Sequence, residues 1–306
     1  IIKVMGHGNS ANHIVRRTNL ICVRDLAEHI FIDAQPGLGA SNYRQKDALD
    51  DSKLRIIDSS AGGKEDFHSE AIPYARFLNV MEDLKDPNGR FPNTFPSPDV
   101  VRDVMQSIGV EKDDHLVVYG RPGKFVGAAR AFFILDSYGF HVKLLNGGLY
   151  KYTDEGYPTE EGKDYTGETS KITDLKYPSD SLISFDEVKE FEKGSSDFQL
   201  IDVRQSNAYN GEATDNLEGC RQGHVNGAVN ITPKEFLHND FTFRSDEEIR
   251  DLLDKYSLDP AKQTVVMCRT GMGATIGIAA LRSATSIPFE KVQLYDGSWT
   301  EYGSFS

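Results

Sequence analysis

Cysteine and tryptophan are scarce in this sequence: its 306 residues include three cysteines and a single tryptophan. Cys22, Cys220 and Cys268 are odd in number and widely spaced. They form no Cys-x-x-Cys pair and no cluster with histidine at metal-ligand spacing. Neither a disulfide framework nor a zinc site is therefore favoured. This use of cysteine fits a reducing compartment best.

The sequence also lacks long apolar runs and has a deficit of positive charge. No run approaches the roughly 20 apolar residues that span a bilayer, so we expect no membrane insertion. Lysine and arginine number 34 against 47 aspartates and glutamates, and the net charge of −13 predicts repulsion of nucleic acid and anionic lipid. The opening Ile1-Ile2-Lys3 has no initiator methionine and no apolar segment after it. We interpret it as a trimmed or processed start rather than a signal peptide.

Length and internal repetition indicate two domains. Hydrophobic residues make up 39% and charged residues 26% of the chain, a balance typical of globular proteins, and 306 residues suit two domains of about 150 residues. The same series of features occurs twice: a strand, a second and buried strand, a loop, a helix and a glycine-containing turn. In the first half they occupy 54–58, 116–119, the loop from Gly120, 127–138 and 146–148; in the second half, 199–203, 264–267, the loop from Cys268, 274–284 and 296–298.

Short apolar strands that alternate with helices predict an α/β fold. The ordered match of the two halves favours a duplication over a chance similarity of two α/β halves. We therefore predict a tandem of two α/β domains, each a mostly parallel sheet with helices on both faces. The first domain would span residues 1–155 and the second 181–306. A linker at 156–180 would join them, within a polar stretch rich in Gly, Thr, Lys and Asp.

The loop that begins at Cys268 is the strongest candidate for chemistry. It joins the apolar strand 264–267 to a helix of small residues and contains Gly271 and Gly273. Glycines let a loop curl so that successive N–H groups face one centre, and a helix N-terminus adds partial positive charge there. We therefore expect a thiol with a lowered pKa, and loop residues that bind an anion or a persulfide: Arg269, Thr270, Gly271, Met272 and Gly273. An inert buried cysteine at a strand end is the alternative.

Two enzyme classes place a reactive cysteine in such a loop. A cysteine phosphatase requires an arginine six positions after the cysteine, to clamp the phosphoryl group with two hydrogen bonds. That position is Ala274 in this chain, which argues against a phosphatase. A sulfurtransferase requires a thiolate, a cradle for a terminal sulfur atom and a cation for an anionic donor, and the loop offers all three.

Several motifs then point to one family. In the second half they are Ile201-Asp202-Val203-Arg204, the run Gly-His-Val-Asn-Gly-Ala-Val-Asn at 223–230, the Cys268 loop, and Tyr-Asp-Gly-Ser-Trp-Thr-Glu at 295–301. In the first half they are Ile72-Pro73 with Ala75, and Leu-Asn-Gly-Gly at 145–148. Along nearly its whole length the chain resembles the two-domain rhodanese and mercaptopyruvate sulfurtransferase family. As in that family, the first domain lacks the cysteine and has Gly120 at its position.

The resemblance implies two rhodanese-like domains and a ping-pong reaction. The Cys268 thiolate would take the outer sulfur of thiosulfate or 3-mercaptopyruvate, become a persulfide, and pass the sulfur to cyanide or a thiol. The resemblance implies no metal and no organic cofactor. It also implies a mitochondrial location, with the cytoplasm as the alternative.

The chain departs from the family pattern around the cysteine. Thiosulfate-preferring members have a loop like Cys-Arg-Lys-Gly-Val-Thr and mercaptopyruvate-preferring members one like Cys-Gly-Ser-Gly-Val-Thr, whereas this loop reads Cys-Arg-Thr-Gly-Met-Gly. Four positions where the family has other residues, two of them substrate arginines, are taken by Ala208, Leu217, Ala71 and Tyr74.

Arg204 and Arg221 are further substrate-binding candidates. For Arg204, a structural ion pair is the alternative. Because positions that hold an anion in the family are replaced, a second hypothesis is a degenerate rhodanese with weak or no turnover, serving as an accessory or structural subunit of a larger complex. A third is a protein that accepts persulfide sulfur from a partner protein.

Overall fold

The computed structural model describes residues 19–32, 34–37, 42–49, 51–213, 219–284 and 287–305. The predictions made for Ile1-Ile2-Lys3 and for Leu217 lie outside these residues. Within them the chain folds into two α/β units, each with its own parallel sheet.

The first sheet has five strands among the described residues, all paired in parallel. In spatial order they are β1 (Leu20–Ile21), β5 (His141–Leu145), β4 (His115–Tyr119), β2 (Leu54–Asp58) and β3 (Ala75–Phe77). The helices described with it are α1 (Val23–Ile30), α2 (Lys64–Ser69), α3 (Pro98–Ser107), α4 (Phe125–Ser137) and α5 (Gly148–Asp154).

The second sheet has four described strands, again all parallel. In spatial order they are β7 (Val229–Asn230), β6 (Gln199–Asp202), β8 (Thr264–Met267) and β9 (Val292–Leu294). Its helices are α6 (Phe185–Glu192), α7 (Ser206–Tyr209), α8 (Asp246–Lys255), α9 (Ala274–Ser283) and α10 (Ser298–Tyr302). The predicted tandem of α/β domains with parallel sheets is confirmed.

Local sequence explains where several of these elements start. Ser184 and Ser245 each begin a helix with a reciprocal hydrogen-bonded pair to the glutamate three residues later. Ser97 caps α3, and Pro98 occupies its first position, where a missing N–H costs nothing. The central strand β8 is buried at all four positions, as its Thr-Val-Val-Met sequence predicts.

The two domains pack through α4 and α9, the helices that follow the two equivalent loops. In the last turns of the two helices, Arg282 of α9 donates to Asp136 of α4 at 2.9 Å, and both side chains are buried. The first part of the predicted linker lies along the first domain, where Ala71 and Glu160 exchange backbone hydrogen bonds of 2.7 and 2.9 Å.

The two halves repeat each other down to single hydrogen bonds. The carbonyl of Gly120 accepts from the N–H of Leu149 at 2.9 Å, and that of Cys268 accepts from Trp299 at 3.0 Å. Because parallel strands end at one edge of their sheet, each loop lies beside the aspartate that ends the neighbouring strand, Asp58 or Asp202. The loop from Cys268 therefore lies at the carboxyl edge of the second sheet, where ligands bind in folds of this class.

Candidate active site

Cys268 follows β8 directly and is 6% exposed. Its N–H donates to the Ser298 hydroxyl at 3.1 Å, and that hydroxyl donates to the Tyr295 carbonyl at 2.8 Å. With the bond from Trp299 to its carbonyl, both backbone polar groups of Cys268 are fixed by the segment 295–299. The sulfur-bearing residue is therefore held rigidly at the strand end.

The loop after Cys268 curls around the thiol. The backbone N–H groups of Ala274, Thr270 and Gly271 all lower the pKa of the thiol by hydrogen bonding to it. Gly271 has a φ of +78°, and a Cβ there would lie 2.7 Å from the Asp296 carbonyl oxygen, so glycine is required. The cradle of N–H groups predicted from the two loop glycines and the helix start is present, with Ala274 at the first position of α9.

The pKa of the Cys268 thiol is raised, whereas the sequence predicts a lowered pKa. Burial raises the pKa of the thiol above its ordinary value, the nearby Asp202 carboxylate raises it further, and the three N–H groups offset only part of this. The prediction of a lowered pKa is wrong, because a sequence shows the polarity of a loop but not how completely the fold removes the thiol from water.

An open pocket of about 400 Å³ leads to Cys268. The described residues that line it all belong to the second domain: Val203, Arg204, Gln205, Asn207, Ala208, Ala213, Cys268, Arg269, Thr270 and Gly273. Arg269 is exposed, and its guanidinium makes no hydrogen bond or ion pair with the residues that the structure describes. Gly271 and Met272 are buried beneath this lining.

Arg204 lines the same pocket but its charge is already paired. Its guanidinium donates to both carboxylate oxygens of Asp202, at distances from 2.7 to 3.1 Å, and to the Gly223 carbonyl at 2.8 Å. It also lies over the Trp299 ring at 4.2 Å. This is the buried ion pair that the alternative interpretation of Arg204 anticipates, and it leaves Arg269 as the exposed cation of the described lining.

The structure places Arg221 apart from the described lining of the pocket. Its guanidinium lies over Trp299 and Tyr302, at 4.9 and 5.4 Å from the ring centres, and 4.0 Å from the Glu192 carboxylate. A role for it in substrate binding stays a prediction.

Two other residues near Arg221 in sequence have structural partners. The sulfur of Cys220 lies 3.3 Å from the Ser304 hydroxyl oxygen. The ring of His224 stacks on Tyr209 with centres 3.8 Å apart.

Of the positions that depart from the family pattern, Ala208 lines the pocket and is 7% exposed. Its methyl group stands where the resemblance predicts a substrate arginine. Ala71 and Tyr74 are elsewhere, in the first domain, where both bond to Glu160. The described pocket therefore has less positive charge than the family pattern implies.

The sequence did not predict that side chains of the first domain hydrogen-bond to the Cys268 loop. Arg130 of α4 is 1% exposed and donates to the Gly271 carbonyl at 3.3 Å, to Asp296 Oδ1 at 2.8 Å and to the Asn93 carbonyl at 2.7 Å. Asn93 in turn donates from its side chain to the Thr270 hydroxyl oxygen at 3.1 Å. One signal was available: Arg130 is the only charged residue in the apolar run 125–135, which indicates a buried polar partner.

Metal-binding and membrane-spanning features are both absent from the described part of the chain. There, no group of three or more His, Cys, Asp or Glu side chains could hold a metal ion. Within the same residues, none of the helices combines the length and the apolar character needed to cross a bilayer.

Comparison with known proteins identifies the family and the fold. The family model for the rhodanese-like domain matches twice, at residues 41–155 and 185–304. The thiosulfate sulfurtransferase of Gallus gallus is 30% identical over 259 residues, which cover 81% of this chain and 86% of the relative. The 3-mercaptopyruvate sulfurtransferase of Escherichia coli strain K12 is 28% identical over 265 residues, which cover 84% of this chain and 91% of the relative.

The crystal structure of SseA from Escherichia coli has the same fold. It superposes with a TM-score of 0.73 at 26% identity and covers 92% of this chain and 99% of its own. Two parallel-sheet domains, each matched by the family model, and relatives that are sulfurtransferases over most of their length lead to one conclusion: the chain belongs to the rhodanese family, with two rhodanese-like domains.

Proposed function

We propose that this protein is a sulfurtransferase that carries sulfur as a persulfide on Cys268, taking it from thiosulfate or 3-mercaptopyruvate. The observation that carries the proposal is the position of Cys268 at a strand end, where three N–H groups converge on its sulfur and an open pocket reaches it. Sulfur transfer in general is the activity of the relatives. The donor, the acceptor and the persulfide are the proposal.

The first half-reaction moves one sulfur atom. With thiosulfate, the Cys268 thiolate attacks the outer sulfur, a new S–S bond forms, the donor's S–S bond breaks, and sulfite leaves with the bond's electron pair. With 3-mercaptopyruvate the C–S bond breaks, and the pyruvate enolate that leaves takes up a proton. Arg269 would hold the anionic part of either donor, and its exposed guanidinium in the lining of the Cys268 pocket supports this role.

The second half-reaction returns the thiolate. Cyanide or a thiolate attacks the terminal sulfur of the persulfide, the S–S bond breaks, and its electron pair returns to the Cys268 sulfur. The terminal sulfur of a persulfide would lie in the pocket, where the N–H groups of the loop favour negative charge.

Turnover with both donors tests the proposal. Thiocyanate formation from cyanide is measured with thiosulfate and with 3-mercaptopyruvate, for the natural chain and for Cys268→Ser. We expect turnover above the uncatalysed rate with at least one donor, and loss of it in Cys268→Ser. Equal rates for the two proteins would contradict the proposal.

A second function, an accessory subunit with weak or no turnover, is favoured by one observation. Ala208 lines the pocket where the resemblance predicts a substrate arginine, and losing a hydrogen bond to a charged group costs about 1.5–3 kcal/mol. Background turnover together with purification in a stable complex would support this function. A monomer that turns over either donor would exclude it.

The third hypothesis and the compartment stay predictions. A protein that receives its sulfur from a partner's persulfide would load from that partner while reacting slowly with small donors. The mitochondrial location rests on the family resemblance, and imaging of the tagged full-length protein against a mitochondrial marker tests it.

A further inference from the structure

Arg130 and Asn93 connect the first domain, which has no cysteine, to the cysteine loop of the second. We propose that these two residues are positioning residues for sulfur transfer: through them the first domain holds the Cys268 loop in the conformation that cradles the sulfur. This proposal rests on the proposed function for its link to turnover, but the geometry of the loop can be tested without turnover.

The contact of Arg130 with Gly271 fixes the direction of one peptide group in the cradle. The N–H of Gly271 faces the Cys268 sulfur, and its carbonyl accepts from Arg130. Gly271 lies in the left-handed region, at a φ of +78°, a conformation that a glycine in a free loop could leave easily. A buried guanidinium on its carbonyl therefore restrains the residue whose N–H stabilises negative charge on the sulfur.

The guanidinium of Arg130 also hydrogen-bonds to two other segments, at Asn93 and at Asp296. Asp296 accepts from Arg130 at 2.8 Å with one carboxylate oxygen, and from the N–H of Phe95 at 2.7 Å with the other. Asp296 begins the turn whose Ser298 holds the N–H of Cys268. Arg130 thus bonds both to the Cys268 loop and to the turn that holds the backbone of Cys268, which is more than an arginine that only joins two domains would require.

Asn93 acts on the pocket side of the loop. Its carbonyl accepts from Arg130 and its side-chain amide donates to the Thr270 hydroxyl oxygen. Because that oxygen accepts from Asn93, the hydroxyl hydrogen of Thr270 is left to donate to an anion in the pocket, which Thr270 lines. Asn93 has a φ of +59°, so glycine can replace it without backbone strain.

Arg282 provides a matched control. It is also a buried arginine at the domain interface, donating to Asp136 and to the Val292 carbonyl. It lies in the last turn of α9, roughly 12 Å along the helix from the end that adjoins the Cys268 loop. Replacing it loosens the interface without touching the loop.

The test compares Arg130→Lys, Asn93→Gly and Arg282→Lys in a background that carries Cys22→Ser and Cys220→Ser, so that Cys268 is the only thiol. Two quantities are measured: the apparent pKa of Cys268, from the ultraviolet absorbance of its thiolate against pH, and kcat and KM with the donor that the natural chain uses. The charged neighbours of Cys268, namely Asp202, Arg204 and Arg269, are the same in every variant. Circular dichroism and thermal unfolding report whether each variant folds.

We expect Arg130→Lys to raise the apparent pKa of Cys268, because a lysine cannot hold the three acceptors and the loop N–H groups lose their alignment. A loop that was merely loosened would admit water and lower this pKa, so the sign separates positioning from simple structural support. We also expect kcat to fall about tenfold or more in Arg130→Lys. For Asn93→Gly we expect a smaller loss of about two- to fivefold, seen mainly as a higher KM.

Arg282→Lys should leave both quantities within about twofold of the parent, at a comparable loss of thermal stability. The proposal is overturned if Arg130→Lys leaves the pKa unchanged or lowers it, or if Arg282→Lys has the same effect. If Arg130→Lys does not fold, Asn93→Gly decides, and donor kinetics equal to those of the parent overturn the proposal. If the parent shows no turnover, the proposed function fails, and the shift in pKa still decides the role of Arg130.

Discussion

Replacing Arg269 by glutamine tests the proposal that its guanidinium binds an anionic donor. Arg269 is the exposed guanidinium of the described lining, whereas Arg204 is paired with Asp202. A hydrogen bond to a charged group contributes about 1.5–3 kcal/mol. The lower end applies here because an exposed charge is screened by solvent. Since about 1.4 kcal/mol is tenfold, we expect kcat/KM for the anionic donor to fall about tenfold in Arg269→Gln.

The assay needs one matched variant and one uncharged reagent. Arg250→Gln removes the same charge from an exposed side chain of α8, which donates to the Asp246 carbonyl and is not among the described residues that line the pocket, so kcat/KM should stay within about twofold of the natural value. Alkylation of Cys268 by iodoacetamide, which is neutral, should change little in either variant. Equal losses in the two variants, or a loss in alkylation as large as that in donor turnover, would refute the assignment of Arg269 as the donor-binding cation.

Three further predictions concern the cysteine and the residues around it. Burial raises the pKa of Cys268, so the rate of its alkylation should rise about tenfold per pH unit from pH 7 to 9, as the thiolate fraction grows. A plateau of the rate within that range would contradict the raised pKa. Ser298→Ala leaves the buried N–H of Cys268 unpaired. It should therefore lower the free energy of unfolding, measured by denaturant titration, by about 1–3 kcal/mol. An unchanged free energy would show that the hydroxyl does not hold the loop. In Gly120→Cys the new Cβ would lie 2.9 Å from Phe125 Cα, so we expect the free energy of unfolding to fall by about 1–3 kcal/mol. We also expect no persulfide on the new cysteine after incubation with a donor. A persulfide there would refute the assignment of sulfur transfer to Cys268 alone.

Local features of the site could be predicted from the sequence because they depend on neighbours in the chain. The strand 264–267, the loop glycines and the helix that starts at Ala274 lie within 11 consecutive residues, and the structure has the strand, the loop and the helix in that order. The duplication could also be predicted, since each half repeats the same strand, loop and helix pattern. Family resemblance added the expectation that the first domain has no catalytic cysteine.

Features that depend on distant parts of the chain could not be predicted. Arg130 and Gly271 are 141 positions apart, and nothing in the sequence near either residue indicates that they meet. The prediction of a lowered pKa for Cys268 is wrong for the same reason, because the burial that raises this pKa is a property of the assembled fold. The lone arginine in the apolar helix α4 shows that a buried partner exists but not which residue it is.

The mass of the protein after incubation with a sulfur donor tests the central claim most directly. The natural chain and Cys268→Ser are each treated with thiosulfate or 3-mercaptopyruvate, freed of donor, and digested for mass spectrometry. We predict that the peptide containing Cys268 gains the mass of one sulfur atom with at least one donor, that cyanide removes it, and that Cys268→Ser gains nothing. The absence of this gain with both donors, or its appearance on Cys22 or Cys220 instead, would contradict the account.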